Sequence, residues 1–219
     1  MTRPSEIFAA ITRNLTELLV EELARTREPD LALFIEGLEH LSGKANATSP
    51  QATPTRLPAC RYLAEALDAA AIGKVGELAM HLRLLEPSLS FVQNPNYRHA
   101  PPTPSFLSEY GYAVLAGPAD GAPALVSDPH LAFGVLLLGP RTEYPAHHHP
   151  AAELYVPLGR ADWAKGSMVA GLPEWVSREP GCVIHHPPNL IHATRTHESP
   201  LAALYLWAGD LATYARLAD

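Results

Sequence analysis

The chain has 219 residues, a formal net charge of −7, 22 prolines, 18% charged and 47% hydrophobic residues. That length fits one domain, with or without an appended subdomain, and easily buries a core. An acidic balance without a clustered Lys/Arg patch excludes general affinity for nucleic acid and for anionic membrane surfaces, so neither is an expected partner.

The N-terminus, MTRPSEIFAAITRNLTELLVEELA, is amphipathic and acidic, without the basic start and unbroken apolar stretch of a signal peptide. No run reaches the roughly 18 apolar residues of a membrane-spanning helix. Cys60 and Cys182 stand far apart with no CxxC pair, as buried thiols of a reducing compartment do. A cytoplasmic protein is expected.

Along the chain, Ile7, Phe8, Ile11, Leu15, Leu18, Leu19 and Leu23 recur at three- and four-residue steps. They predict a helix over Ser5–Arg27, with Ser5 as N-cap and Pro29 as the stop. Asp30–Leu41 repeats the pattern and ends at Gly43. Lys44–Pro58, polar and interrupted by prolines, reads as a loop. Helical periodicity returns over Ala59–Ala71 and again up to Leu85, completing an N-terminal helical section over residues 1–87. Residues 88–109 read as a loop. Its Pro- and Asn-rich part, Ser88–Ser105, carries Phe91, Tyr97, Arg98 and His99, and both a lid and a rigid connector are open readings.

From residue 110 to 219 short apolar runs alternate with Gly, Pro and Asp: Tyr110–Leu115, Leu131–Leu138, Glu153–Pro157, Glu174–Arg178, Cys182–His185 and Leu201–Trp207. These lengths predict antiparallel strands of a sandwich or barrel. The expected fold class is therefore mainly β with a helical N-terminal section.

The segment YPAHHHPAAELY, Tyr144–Tyr155, holds the chemistry. In an extended strand His147 and His149 share one face and His148 the other. A turn at Pro150 lets Glu153 meet the two imidazoles, a set suited to a borderline divalent ion. An isolated HxH is more often a surface or core feature, so further ligands matter. GCVIHHPPNLIHATRT supplies a candidate in His192. His185 and His186 read as structural, and His40, His81, His130 and His197 as surface or packing residues.

These two segments resemble the paired motifs of the cupin superfamily. The first is matched by His147, His149, Glu153 and Gly159, the second by Gly181, Pro187, Asn189 and His192. Asn189 replaces the usual turn glycine, and Asn enters the left-handed region readily. Thr196 stands where Asn is frequent, and the leading glycine of the first motif is displaced, Gly139 being the nearest. The resemblance implies a double-stranded β-barrel (jelly roll) binding one divalent metal, Zn, Fe(II), Mn, Co or Ni, through His147, His149, Glu153 and His192. The further pattern YxxHxHxxxExY, PxNxxHAxRT and ALYLW resembles the bacterial cupin-type dimethylsulfoniopropionate lyases over the C-terminal half.

That resemblance implies a small-molecule substrate, split into dimethyl sulfide and acrylate by β-elimination. A metal would stabilise the developing enediolate and favour the phenolate of a neighbouring tyrosine. Tyr144 is the expected base, with Tyr155 next in line. Tyr155, Trp207 and Tyr97 or Phe91 are the expected aromatic faces for the sulfonium. Tyr205 and Trp207 are read as pointing to opposite faces, so that at most one lines the cavity. The alternative is a metal-binding cupin acting on another small carboxylate, as dioxygenase or isomerase, or a non-catalytic binding cupin. A homodimer is a candidate assembly.

Overall fold

The computed structural model describes residues 3–44, 54–166 and 174–218. Helix α1 spans Pro4–Thr26, and its N-cap is Arg3 rather than Ser5. Pro4 lacks the N–H that a first helical position leaves idle, and the Glu6 carboxylate accepts the Arg3 backbone N–H at 3.0 Å, which moves the start upstream. Arg27, at φ 56, ends the helix in the left-handed region. Helix α2 covers Leu31–Gly43. Residues 45–53 of the expected Lys44–Pro58 loop lie outside the described residues. A 3₁₀ turn, Pro58–Tyr62, takes the first part of the expected Ala59–Ala71 helix and leads into α3, Leu63–Ala70; α4 follows at Gly76–Leu85.

The span expected as loop, 88–109, is more regular than its composition predicts. It contains strand β1 (Phe91–Val92) and the short helices α5 (Pro95–His99) and α6 (Phe106–Glu109). Asn94 and Asn96 each donate a side-chain N–H to the Ala215 carbonyl at 2.9 Å. Gln93 donates to the carbonyls of Leu107 and Tyr110 at 2.5 and 3.0 Å. This pinning at both ends favours a connector over a lid.

The strands then follow as β2 (Tyr110–Gly117), β3 (Ala124–Ser127), β4 (Leu131–Leu138), β5 (Glu143–His148), β6 (Ala152–Pro157) and β7 (Ala161–Lys165). After them come β8 (Val176–Arg178), β9 (Ile184–His186), β10 (His192–Arg195), β11 (Leu201–Ala208) and β12 (Arg216–Leu217). The expected Glu174–Arg178 run thus shortens to β8, and Cys182–His185 moves to β9. One sheet runs β1-β2-β4-β11-β6-β9, with β3 on β2; the other runs β12-β5-β10-β7-β8. Among the described residues all strand pairs are antiparallel except β2 with β3. Two such sheets face to face make a double-stranded β-barrel of the cupin type, as the paired motifs implied.

Side-chain alternation divides the larger sheet between two cores. Leu154, Val156, Leu204 and Leu206 turn outward and bury with α1 to α4 residues such as Phe8, Leu15, Phe34 and Leu38. Tyr155, Ala203, Tyr205 and Leu136 turn into the barrel. Continuous apolar runs in β4 and β11 follow from burial on both faces. Among the described residues no helix is long and apolar enough to cross a membrane.

Candidate metal and active site

Strand register assembles the site. On the larger sheet Glu153 of β6 lies directly between Trp207 of β11 and His186 of β9. On the smaller sheet His192 of β10 lies opposite His147 of β5. His149 sits just past the end of β5, before the chain returns as β6. Asn189, at φ 62, makes the turn ahead of β10, and its N–H donates to the His149 carbonyl at 2.8 Å. The asparagine therefore occupies the left-handed conformation the motif comparison required of it.

His149, Glu153 and His192, all buried, bring one ligand atom each to within 4.8 Å of one another. The Glu153 Oε2 lies 3.2 Å from His149 Nε2 and 3.0 Å from His192 Nε2. His147 stands beside this group, its ring centroid 4.1 Å from that of His192. His148 is half-buried on the other side of β5, opposite Arg216 of β12.

The donor set fits a divalent cation. Nδ1 of His147, His149 and His192 faces a carbonyl oxygen two residues away, of Pro145, Ala151 and Leu190, at 2.8, 3.1 and 2.8 Å. A carbonyl only accepts, so each Nδ1 carries a proton, which leaves each Nε2 as the ring's available ligand atom. His192 Nε2 is buried without a hydrogen-bond partner, although Glu153 Oε2 is near. Carboxylate and imidazole lone pairs crowded this closely need a cation among them, either a proton or a metal ion. Burial alone would push the Glu153 carboxyl up, but His149, His186 and His192 hold it well below the usual carboxylate range. Burial, reinforced by His192, lowers His147 well below its ordinary value and keeps it neutral.

Glu153 forms the floor of a cavity whose wall is aromatic: Tyr110, Tyr112, Tyr144, Tyr155, Tyr205 and Trp207. Tyr214, Leu211 and the Pro118–Ala122 turn form the rim. Tyr205 and Trp207 both face inward, correcting the expected split, because residues two apart on a strand share a face. Gly134 on β4 is required here, since a Cβ there would lie 2.7 Å from the Tyr205 ring. Trp207 stacks on His149 at 4.0 Å and donates Nε1–H to Glu153 Oε1 at 2.5 Å.

The two phenols near the floor differ. Tyr144 stacks flat on His147, centroids 3.9 Å apart, and its hydroxyl pairs with that of Tyr97 at 3.3 Å. Tyr155 follows Glu153 by two residues on β6 and so shares its inward face. Burial raises both phenols well above their ordinary value, Glu153 adding to the effect on Tyr155 and neighbouring tyrosines on Tyr144. Tyr97 is buried behind Tyr144 and does not line the cavity, and Phe91 belongs to the helix-side core. Sequence reasoning did not select Tyr110 and Tyr112 of the wall or Tyr214 of the rim, nor His186 as a partner of Glu153. Only the alternation of Tyr110 and Tyr112 along β2 hinted at a shared face.

Fold and donor set define the class: a cupin-type barrel with a His/Glu site of metal-binding character. Residues 38–203 match the sequence profile of the dimethylsulfoniopropionate lyases, and the chain belongs to that family. It is similar to the dimethylsulfoniopropionate lyase DddQ of Ruegeria pomeroyi, with 38% identity over 108 residues, 49% of this chain and 50% of that protein. That match thus spans about half of the curated relative. The crystal structure of DddQ from Ruegeria pomeroyi DSS-3 superposes with a TM-score of 0.61 at 26% identity, covering 94% of this chain and 96% of the other. A chain from the crystal structures of the lyases RdDddP and RnDddQII gives a TM-score of 0.64 at 24% identity over 95% and 100% of the two chains, a likeness of fold.

Proposed function

We propose that this chain cleaves dimethylsulfoniopropionate into dimethyl sulfide and acrylate, using one divalent metal bound by His149, Glu153 and His192 with His147 as the fourth ligand. Convergence of buried imidazole lone pairs on Glu153, which itself lines an aromatic cavity, carries this reading. Family membership and the DddQ likeness support the substrate. A bound divalent cation supplies positive charge that stabilises the substrate's developing enediolate and the phenolate form of an adjacent tyrosine.

The chain's own residues supply the rest. A phenolate oxygen takes the proton α to the carboxylate. The electron pair left behind forms the α–β double bond, the β-carbon–sulfur bond breaks, and neutral dimethyl sulfide departs. Trp207, Tyr205 and the remaining phenol offer faces to the sulfonium by cation–π attraction. Sequence spacing favours Tyr144 as the base. Placement on the inward face two residues from Glu153 favours Tyr155, since the Tyr144 hydroxyl is already paired with that of Tyr97 at 3.3 Å. Tyr155 is therefore proposed as base and Tyr144 as the neighbour that positions substrate.

The free cysteines Cys60 and Cys182 support a cytoplasmic setting. The cavity walls described come from a single chain, so the reading needs no second copy; light scattering measures whether the expected homodimer forms. Zn, Fe(II), Mn, Co and Ni, added singly to chelator-stripped protein, identify the metal by the dimethyl sulfide each supports in the headspace. No dimethyl sulfide with any of them sinks the lyase reading.

A further inference from the structure

The four buried histidines grouped around Glu153 are of two kinds. His147, His149 and His192 each have Nδ1 anchored on a nearby backbone carbonyl, which frees Nε2 for ligation. His186 has no such anchor. Its Nδ1 faces Glu153 Oε2 at 3.2 Å, and its Nε2 is buried without a hydrogen-bond partner. Its ring lies on that of His192, with centroids 4.0 Å apart and planes 25° from parallel. On the other side of Glu153, Trp207 Nε1–H reaches Oε1 at 2.5 Å, and the indole lies on His149.

We infer that His186 and Trp207 are positioning residues: they clamp the two oxygens of Glu153 with one N–H each and brace the rings of His192 and His149. Cross-strand register makes the arrangement reproducible, because both residues sit directly opposite Glu153 on its two neighbouring strands. A carboxylate in a dry site has four lone-pair positions, and an unrestrained one swings between coordination modes. The clamp occupies one position on each oxygen and leaves Oε2 directed between the Nε2 atoms of His149 and His192. His186 thus acts through Glu153 and His192 rather than on substrate, and Trp207 has a duty besides its aromatic face.

The inference rests on the proposed metal site, and metal binding itself tests it without the lyase reaction. Chelator competition on the full chain gives the affinity for Zn²⁺, and the visible d–d spectrum of Co²⁺-loaded protein reports ligand geometry. His186→Leu removes the donor, whereas His186→Asn keeps an N–H near the place of Nδ1. We expect His186→Leu to lower Zn²⁺ affinity about 10- to 100-fold, the usual effect of losing such a partner, and to alter the Co²⁺ spectrum. His186→Asn should restore both to near the parent. If His186→Leu does not fold, Trp207→Phe, which keeps a ring on His149 but loses the other N–H, must show the same loss and spectral change. Parent-like affinity and spectrum in whichever of these two donor-removing variants folds reduces the clamp to packing. Metal loss in His186→Asn as complete as in His149→Ala makes His186 a ligand and overturns the inference. A parent protein that binds neither Zn²⁺ nor Co²⁺ removes the metal reading and the clamp together, whereas metal binding without dimethyl sulfide release removes only the lyase reading.

Discussion

The proposed ligand residues are not equivalent, because only His149, Glu153 and His192 form the close group. His149→Ala and His192→Ala should lose most of the metal seen by elemental analysis. His147→Ala should lose less, and His148→Ala, on the far side of β5, should match the parent. Equal loss in all four variants would contradict the assignment. For the phenols, Tyr155→Phe keeps the ring and deletes only the hydroxyl. Its kcat should fall about 10²- to 10⁴-fold, the usual contribution of a general base, while metal content holds. Tyr144→Phe should fall less; the reverse order in steady-state kinetics moves the base back to Tyr144. Asn189, at φ 62, tests the turn. Asn189→Gly should be nearly neutral, whereas the β-branched Asn189→Val should cost about 1–2 kcal/mol in denaturant unfolding.

Individual elements show why the site forms where it does. Strand β6 sets Glu153 and Tyr155 into the barrel and Leu154 and Val156 into the helix-side core, so a one-residue slip would exchange the buried carboxylate for a leucine. At the entry to β4, Asp128 accepts the backbone N–H groups of His130 and Leu131 at 2.9 Å each and pairs with Lys44, at the end of α2, at 2.9 Å. Asp128→Ala strands the buried Leu131 N–H and the part-buried His130 N–H, and unfolding should show a loss of about 1–3 kcal/mol. Asp128→Asn keeps the acceptor and should recover part of it. Burial opposes ionisation of Asp128, but Lys44 and the two N–H groups outweigh it, so the carboxyl lies below its ordinary value. A folded-state value below the unfolded one stabilises at neutral pH, and that contribution is lost as pH falls through the acid range below about 4. Asp128→Asn should therefore flatten the acid limb of the stability profile, and an unchanged limb would contradict the ion-pair role.

Across the whole molecule, helices and the larger sheet share one core, in which Phe8 of α1 meets Phe133 of β4 at 6.2 Å between centroids. The helical section is therefore not an independent unit. Heating should give one cooperative transition, with helical ellipticity and aromatic signals lost together. Phe133→Ala, at a fully buried position, should lower stability by about 3–5 kcal/mol without separating the two signals. Two resolved transitions would show that the helices fold apart from the barrel.

Local pattern was enough for much of this. Three- and four-residue apolar steps marked α1 and α2 to within a residue or two, and Leu131–Leu138 was read at its observed bounds. Two motifs in order picked out His147, His149, Glu153 and His192, since ligation chemistry demands particular residue types at fixed spacings, and the fold brings the last three within 4.8 Å of one another. Strands β3, β7 and β10 and the helices α5 and α6 stayed hidden, being too short for a periodicity of their own and held by pairing with distant chain. The same limit hid the partners of Glu153. No local rule joins residue 153 to residues 186 and 207; only the sheet order β11-β6-β9 does. Likewise, Tyr97 and Phe91, expected as cavity faces, are absent from the cavity lining, and 88–109, expected as a loop with a lid as one reading, carries β1, α5 and α6. Sequence by itself determined which atoms could hold a metal, because that is a matter of residue chemistry. Tertiary structure alone decided which of them meet and which neighbours orient them, because cross-strand register is fixed by burying both faces of the sheet at once.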